Sequence, residues 1–539
     1  MTQPLPLVVD DLSFRYNGRD DIALRHVSLE LQPGSITLLA GSSGCGKTTL
    51  MRCINGLIPH SYKGRMLGEV RLFGRPNKGQ PLAAISKHVG TLLQDPERQI
   101  LGTYVLNEVC FGLESQGMPH TQMLARADEA LERLNIAHLR EKETAALSGG
   151  EKQKVALAGV LAMRPSILLL DEPLASLDPA SAEEALQAFR RLADSGLSLL
   201  IVEHRVEDVL RIAPEQILYM DAGEIKYQGD AAGLMQVVDY TRIKLPAEVV
   251  MQRAKAAPAP KFLSAAPTPA PESPPLLQFE DVHFSYRPEL PEVLHGLNFE
   301  VHTGDVIAVL GHNGSGKTTT VKHALGLLKP TQGQVLLEGQ DSKKQSVAEA
   351  AKTIGYVFQS PSQMLFGRSV REELAFGPEN LGFAKPDIEA NSLWAIRSVH
   401  LEEEMASPPL ALSFGQQKRV SIAAILSMRS RILVMDEPTA GQDYWNYMSF
   451  MDAIMGMPGF DAILFITHDV DLAAIYANRV LVMHGGRLAA DGPPQEVLGD
   501  HEALRKWRIL PTSLLKLNQQ LYPLTGHYAR AEHLALYSS

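Results

Sequence analysis

Two glycine-rich stretches decide the fold, GSSGCGKTT at residues 41–49 and GHNGSGKTT at residues 311–319. Each fits the pattern G-x-x-x-x-G-K-[ST], in which backbone N–H groups surround phosphates at a helix start and the lysine reaches the terminal phosphates. Each also follows an apolar run, SITLLAG or DVIAVLG, that is typical of a buried strand. Because strand, glycine-rich turn and helix open an α/β nucleotide-binding unit, the sequence predicts two phosphate-binding loops.

These loops supply most of the residues predicted to bind nucleotide. In the first loop they are Gly41, Ser42, Ser43, Gly44, Cys45, Gly46, Lys47, Thr48 and Thr49. In the second loop they are Gly311, His312, Asn313, Gly314, Ser315, Gly316, Lys317, Thr318 and Thr319. Thr48 and Thr318 carry the hydroxyl groups predicted to ligate Mg²⁺.

The second loop begins 270 residues after the first, and other features recur at nearly the same distance. The pairs separated by 264 or 265 residues are Gln94 and Gln359, Ser148 and Ser413, Glu172 and Glu437, and His204 and His468. Self-similarity along the whole chain indicates a tandem duplication of one α/β unit.

The duplication predicts a first domain at residues 1–251 and a second at residues 276–500. The Ala/Pro-rich segment at residues 252–275 predicts a linker, because proline removes backbone donors and favours extended chain. A proline-rich recognition motif is the alternative. Residues 501–539 have no counterpart between the copies, and a small helical extension on the second copy is expected there.

Composition excludes several classes of protein. The chain has 51 Lys and Arg against 61 Asp and Glu, a net charge of −10, and a net negative chain without basic blocks argues against nucleic acid as main partner. Apolar runs fall short of the ~20 residues of a membrane-spanning helix. The start MTQPLPLVVDD lacks a secretory pattern, and three cysteines cannot form a disulfide framework. A cytoplasmic chain is expected.

An acid pair ends one predicted strand in each copy, in SILLLDEP and RILVMDEP. Asp171 and Asp436 are predicted to hold a magnesium shell, and Glu172 and Glu437 to orient or deprotonate water. A solvated turn would also carry adjacent acids, but the phosphate loop upstream in each copy favours the catalytic interpretation.

Two further elements follow in register. LSGGEKQ at residues 147–153 and LSFGQQK at residues 412–418 place Ser148, Gly149 and Gly150, or Ser413 and Gly415, at a predicted helix start. The N-terminus of a helix binds anions. Because each copy already has a phosphate loop, we expect this second anion-binding segment, called here the signature cradle, to close over the nucleotide bound to the other copy. His204 and His468 end the strands SLLIVEH and AILFITH, where an imidazole could contact a γ-phosphate or serve a structural role.

In these features the chain resembles the ATP-binding subunits of ABC transporters, over about residues 7–500. The resemblance implies α/β folding as two tandem P-loop domains, each with a RecA-like core, an antiparallel β subdomain and a helical subdomain. It implies ATP hydrolysis with Mg²⁺ in a head-to-tail pseudo-dimer of the halves. By the family pattern, Gln94 and Gln359 form glutamine loops that reach the metal and the reaction site. Tyr16 and Tyr286 match the aromatic residue that stacks on adenine, and Asp178 and Asp443 match the Asp loop.

The segments GTLLQDPERQIL and GYVFQSPSQMLF look like the energy-coupling-factor branch, importers of vitamins and transition-metal ions. That resemblance implies a coupling membrane protein and a substrate-binding membrane protein as partners, and a peripheral location on the cytoplasmic face. A thiamine-type precursor, cobalt and nickel are all compatible solutes. The alternatives are a generic ABC importer, a soluble twin ATPase acting on ribosomes or DNA, and a non-hydrolysing regulator, which the two glutamates disfavour.

Three departures qualify this resemblance, one of which is Met364 in the second copy where the first copy has Gln99. Glu151 stands where glutamine is usual, and Phe414 replaces the first signature glycine in the cradle expected over the first copy's ATP. Phe414 predicts mild asymmetry between the two sites, unless only the serine and second glycine contact phosphate. Cys45, at a helix N-terminus, is either a small loop-filling residue or a thiol whose pKa the helix dipole lowers.

Overall fold

The structure is a computed structural model that describes residues 4–175, 177–255, 274–439 and 442–537. The chain divides into two compact units. The first unit consists of Met1–Leu245 with Gly441–Trp445, and the second of Pro246–Ala440 with Asn446–Ser539. Most of the predicted linker at residues 252–275 lies outside the described residues.

The described strands of the first copy form two sheets. They are β1 (Leu7–Tyr16), β2 (Leu24–Leu31), β3 (Ile36–Gly41), β4 (Gly64–Leu72), β5 (Arg75–Pro76), β6 (Val89–Leu92), β7 (Ile167–Asp171), β8 (Ser198–Val202), β9 (Gln216–Asp221) and β10 (Glu224–Gly229). An antiparallel sheet has the order β2-β1-β4-β5, and a larger sheet has the order β10-β9-β3-β8-β7-β6. The larger sheet is parallel except for the edge pair of β9 and β10.

The helices of this part of the chain complete an α/β domain. They are α1 (Lys47–Ile54), α2 (Leu57–His60), α3 (Leu82–Ile85), α4 (Val105–Ser115), α5 (His120–Arg133), α6 (Gly149–Ala162), α7 (Pro179–Asp194), α8 (Val206–Leu210), α9 (Ala231–Val237) and α10 (Ala247–Ala254). Helices α4, α5 and α6 pack on one another as a helical subdomain. Strands β3 and β8 are buried along their whole length, as continuous apolar strands of a covered parallel sheet must be.

The second copy repeats this arrangement. Its strands are β11 (Leu277–Phe284), β12 (Leu294–Val301), β13 (Val306–Leu310), β14 (Gln332–Leu337), β15 (Gln340–Asp341), β16 (Ile354–Val357), β17 (Ile432–Asp436), β18 (Ala462–Ile466), β19 (Arg479–His484) and β20 (Arg487–Gly492). The sheet orders are β12-β11-β14-β15 and β16-β17-β18-β13-β19-β20. Its helices are α11 (Lys317–Ala324), α12 (Val347–Ala351), α13 (Val370–Asn380), α14 (Lys385–Ser398), α15 (Phe414–Ser427), α16 (Tyr444–Met455), α17 (Val470–Tyr476) and α18 (Pro494–Val497).

The chain after residue 500 is helical and belongs to the second unit, as α19 (His501–Lys506), α20 (Ser513–Thr525) and α21 (Ala531–Leu534). Helix α10, although it precedes the linker, packs on α20 and α21 within the same unit. The N–H of Ala247 donates to the Ser513 hydroxyl at 2.8 Å. The guanidinium of Arg530 donates hydrogen bonds to Asp452 of α16 and to the Tyr476 hydroxyl of α17. The C-terminal extension is therefore joined to the second copy by side-chain hydrogen bonds.

The predicted fold class is confirmed, with a mixed α/β core, an antiparallel sheet and a helical subdomain in each copy. Within the described residues, no helix combines the length and the apolar character that crossing a membrane requires.

Candidate functional site

The predicted site residues gather at the carboxyl ends of neighbouring parallel strands. In the first copy β3 leads into the phosphate loop, β7 ends at Asp171, and β8 leads to His204. Asp171 pairs with Val202, two residues before that histidine. The second copy places its counterparts after β13, β17 and β18. This edge of an open parallel sheet is where ligands bind in α/β folds.

The phosphate loops have the backbone that their glycines predict. Gly46 precedes α1 with φ of 113°, a left-handed conformation that side chains disfavour. A Cβ on Gly41 would lie 2.4 Å from the Met220 carbonyl oxygen, so the loop packs too closely for any other residue. Since α1 begins at Lys47, the N–H groups of its first turn have no intrahelical partner and face the loop interior as anion donors.

Both loop lysines are buried and held by their own loops. The ammonium of Lys47 donates to the carbonyls of Gly41 and Ser42, each at 2.8 Å. Lys317 donates to Gly311 at 2.7 Å and His312 at 3.0 Å. Each cation is therefore preorganised inside its loop.

The structure brings the predicted glutamine, glutamate and histidine of the first copy together. The Gln94 amide donates to Glu172 at 2.5 Å, and the other carboxylate oxygen of Glu172 lies 2.8 Å from His204 Nε2. In the second copy His468 Nε2 lies 3.1 Å from Glu437. Among the described residues, no hydrogen bond joins Gln359 to Glu437, so the two sites differ in how the glutamate is held.

The different surroundings move the pKa values of the two glutamates in opposite directions. Burial alone would raise the pKa of Glu172, but the hydrogen bond and charge of His204 hold it below its usual range. Burial raises the pKa of Glu437, one oxygen of which is buried without a hydrogen bond. The first glutamate is thus stabilised as the carboxylate, whereas burial favours the protonated form of the second.

The acids beside these glutamates fit a divalent cation. Burial and the neighbouring Glu172 raise the pKa of Asp171 to about 6. Burial raises the pKa of Asp436 as well, although hydrogen bonds from Tyr356 and Thr318 oppose this. A carboxylate and a threonine hydroxyl in contact are the oxygen ligands that Mg²⁺ prefers. The metal, when bound, would add positive charge beside each acid pair.

Both glutamates also have a backbone conformation that the sequence did not reveal. Glu172 has φ of 48° and Glu437 has φ of 45°, in the left-handed region that costs non-glycine residues about 1 kcal/mol or more. Such strain persists only where the surrounding structure enforces it and clusters at functional sites. The same conformation also recurs at other equivalent positions, such as Asp11 and Asp281, so its recurrence reflects the shared fold of the two copies.

The two predicted adenine-stacking residues occupy equivalent positions. The Tyr16 hydroxyl lies 3.1 Å from Thr49 Oγ1, and the Tyr286 hydroxyl lies 3.2 Å from Thr319 Oγ1. Each ring therefore stands beside the phosphate loop of its own copy. Stacking on adenine remains a prediction.

The two signature segments begin helices α6 and α15, as predicted. Ser148 and Ser413 cap these helices, each with the residue three positions later completing a capping box. Although burial alone would raise it, hydrogen bonds from Ser148 lower the pKa of Glu151. The Glu151 carboxylate accepts the Ser148 N–H at 2.8 Å, as the Gln416 amide oxygen accepts the Ser413 N–H at 3.0 Å in the second copy.

One further contact reaches the first phosphate loop. Residues 441–445 belong to the first unit, and there the Asp443 carboxylate accepts a hydrogen bond from the N–H of Ser43 at 2.8 Å. Asp178, its counterpart in sequence, caps α7 by accepting from the Ser181 N–H at 3.0 Å.

The predicted low pKa of Cys45 is wrong. Only 4% of this side chain is exposed, and burial raises its pKa against the opposing influence of Lys47. Desolvation of the buried thiol outweighs the charge and hydrogen bonds of Lys47. Cys45 is thus the small loop-filling residue of the two alternatives.

We therefore expect the cysteines to resist alkylation, because Cys45, Cys53 and Cys110 are all buried with raised pKa values. Iodoacetamide at pH 7.5 should modify each at least tenfold more slowly in the native chain than in urea, as measured by mass spectrometry of peptides. Fast native labelling at residue 45 that ATP prevents would contradict the buried thiol.

A buried acid beside the first site escaped the sequence analysis. Glu203 is 2% exposed and accepts hydrogen bonds from the N–H groups of Leu174 at 3.2 Å and His204 at 2.9 Å. It thereby links the chain after Glu172 to the predicted switch histidine. Thr467 takes its place in the second copy, so only a comparison of the copies could have singled it out.

Glu203→Gln should stabilise the chain increasingly as pH rises. Burial raises the pKa of Glu203 to about 8. In the unfolded chain this carboxyl group ionises at its ordinary acidic pKa. Between that pKa and the folded-state pKa, each added pH unit therefore lowers the free energy of unfolding of the native chain by about 1.4 kcal/mol. The variant's melting temperature should exceed that of the native chain by about 5 °C more at pH 8 than at pH 5.5. Glu132→Gln, at an exposed position, is the control, and a pH-independent difference would contradict this expectation.

Comparison with known proteins agrees with this geometry. The ABC transporter family model matches residues 24–175 and 294–440. A provisionally named ABC transporter ATP-binding protein of Methanosarcina acetivorans is 34% identical, covering 93% of this chain and 88% of that protein. One of the same provisional name from Streptococcus pneumoniae is 36% identical, covering 95% of each.

A solved structure of CbiO1 from Clostridium perfringens, described as part of the ABC transporter complex CbiONQ, is 33% identical. It covers 43% of this chain and 94% of its own, with a TM-score of 0.40. The two family matches fall on the two copies, each with its phosphate loop and acid pair. With relatives similar along nearly the whole chain as well, the protein belongs to the ABC transporter family of ATP-binding, ATP-hydrolysing proteins and carries its ATPase domain twice.

Proposed function

We propose that the chain is the ATP-hydrolysing motor of a membrane importer of the energy-coupling-factor type, bound at the cytoplasmic face of the membrane. Its partners are a coupling membrane protein and a substrate-binding membrane protein, and nucleic acid is not among them. One observation carries this proposal, namely a matched pair of exposed apolar surfaces on the helical subdomains.

In the first unit, Leu101 is 71% exposed and Phe111 is 49% exposed. They line a cavity of about 410 Å³ with side chains of α4 and α5, including Met123 and Leu124. Large apolar side chains exposed together mark protein–protein contact sites.

The second unit exposes the residues 265 positions later. Phe366 is 61% exposed and Phe376 is 49% exposed. Their rings pack edge to face, with ring centres 4.6 Å apart. Both surfaces lie between the glutamine loop and the signature helix, where the family resemblance places the membrane partner. A membrane partner with two related apolar segments would bind one segment at each of these two surfaces.

The motor cycle follows from two nucleotides bound between the halves. ATP on Lys47 and Lys317 would draw the copies together head to tail, because a ligand shifts a two-state equilibrium by its difference in affinity. Water oriented by Glu172 or Glu437 would attack the γ-phosphate, and loss of the products would let the halves part.

The imported solute is selected by the membrane partners in this architecture. A water-soluble vitamin or precursor, such as a thiamine-type pyrimidine, and cobalt or nickel ions fit the proposal equally. A pull-down of the tagged chain from detergent-solubilised native membranes tests it. A small polytopic protein together with a compact membrane protein would support import, whereas ribosomal proteins would favour the alternative of a twin ATPase acting on ribosomes.

Substitution of the apolar surfaces should separate docking from catalysis. Phe111→Asp combined with Phe376→Asp is expected to lower recovery of the membrane partners at least tenfold, because each carboxylate would be desolvated at the contact. The ATPase rate of the isolated chain should change less than twofold. Leu524→Asp, 65% exposed on α20, is the matched control. Equal recovery for both variants would contradict docking at this surface.

A further inference from the structure

The second signature helix contains a buried lysine that the mechanism above does not use. Lys418 is 1% exposed, on the second turn of α15. Burying an ammonium group is unfavourable unless it is paired and hydrogen-bonded. Its presence beside an ATPase site therefore requires a compensating set of contacts.

Those contacts connect the signature helix to the turn of the catalytic glutamate. The Lys418 ammonium donates to the carbonyl oxygen of Pro438, the residue after Glu437. It lies 5.3 Å from the ring centre of Phe414 and 5.6 Å from that of Phe450. Both distances are within the range of cation–π attraction, and desolvation strengthens such contacts. Burial lowers the pKa of Lys418 to about 7, with Glu437 opposing the shift.

The first copy shows the same connection without a charge. Gln153 stands where the second copy has Lys418, and its amide donates to the carbonyl of Pro173, the residue after Glu172. Position 149, the counterpart of Phe414, is glycine, and a Cβ there would meet no atom within 4 Å. Lysine and phenylalanine thus occur together in one copy, and glutamine and glycine in the other.

We propose that Lys418 is a positioning residue for Glu437, tying helix α15 to the glutamate's turn, and that Phe414 is the aromatic cover this buried cation requires. Phe414 and Lys418 stand where the first copy has glycine and glutamine. We infer that each of these two differences depends on the other, and we call the pair a coupled exchange. Phe414 is retained because its ring replaces water around the ammonium. The link acts through the Pro438 carbonyl, so it affects the placement of Glu437 and leaves the phosphate loop unchanged.

The connection is tested in the full chain carrying Glu172→Gln, in which hydrolysis reports on the second site. Lys418→Met, of similar size without a donor, should lower kcat at least tenfold while the KM for ATP changes less than twofold. Lys418→Gln combined with Phe414→Gly copies the first signature and should have a kcat at least fivefold higher than that of Lys418→Met. Equal rates for Lys418→Met and the parent would overturn the positioning role, as would a larger change in KM than in kcat.

The coupling is tested by removing the ring in two backgrounds. Phe414→Gly should lower kcat at least fivefold with Lys418 present and less than twofold with Gln at position 418. The same factor in both backgrounds would overturn the coupled exchange.

Hydrogen exchange gives a readout independent of turnover. Lys418→Met should speed exchange in peptides spanning residues 414–418 and 436–439, with peptides spanning 149–153 and 171–175 as internal controls. Unchanged exchange at 436–439 would also overturn the link.

Discussion

Glu437→Gln is expected to lower the steady-state ATPase rate at least tenfold, whereas Glu172→Gln lowers it two- to fourfold. Loss of a general base typically costs 10²–10⁴-fold at the site concerned. The inequality arises because the site of Glu437 would close against the intact Ser148-Gly149-Gly150 cradle. The site of Glu172 would close against the cradle in which Phe414 replaces glycine.

Steady-state phosphate release with saturating Mg-ATP measures this pair of variants. Both substitutions conserve size, and melting curves of the two chains provide the control for folding. Equal losses would contradict the asymmetry and support the alternative that only the serine and second glycine of the signature contact phosphate. The structure adds a reason for unequal sites, because Gln94 and His204 both contact Glu172, whereas His468 alone lies beside Glu437 among these counterparts.

Lys47→Ala and Lys317→Ala should each reduce the number of tightly bound ATP molecules from two to one per chain. Each lysine is buried in its loop with the ammonium preorganised by two carbonyls, so alanine removes a fixed cation from the loop predicted to bind the terminal phosphates. The affinity at the altered site should fall at least 100-fold, in line with the loss of a charge-assisted contact of about 3 kcal/mol.

Equilibrium dialysis with labelled ATP and Mg²⁺ gives this stoichiometry directly. The double variant should bind no ATP in the same concentration range. Lys344→Ala, at an exposed position of the second copy, is the control and should bind two. Complete loss of binding in either single variant would show that neither site is formed without the other.

The two copies share the main elements of their predicted sites but differ in some of the residues that contact those elements. The phosphate loops, the capping boxes and the glutamate–histidine pairs recur with nearly the same geometry. Glu203 and Lys418 have no ionisable counterpart in the other copy, and each is a buried ionisable side chain next to the turn of a predicted catalytic glutamate. At these two positions the copies differ in residues that contact the turns of the predicted catalytic glutamates, while the glutamates themselves are the same.

The sequence by itself determined the duplication, the phosphate loops and the strands that lead to the phosphate loop, the acid pair and the histidine of each copy. These depend on local properties, because a left-handed Gly46 and an apolar run ending in Asp171 specify turn and strand without reference to distant residues. The resemblance to the ABC transporter family rested on the same short segments. Glu172 and Glu437 could be chosen as catalytic candidates from position alone.

Only the tertiary structure decided the electrostatics of the sites and the packing of the chain ends. The pKa of Cys45 rises rather than falls because residues remote in sequence exclude water from it. The Tyr356 hydroxyl reaches Asp436, 80 residues away, and α10 joins the C-terminal helices on the other side of the linker. Burial and contacts between distant segments are sums over the whole fold, so no local pattern reveals them.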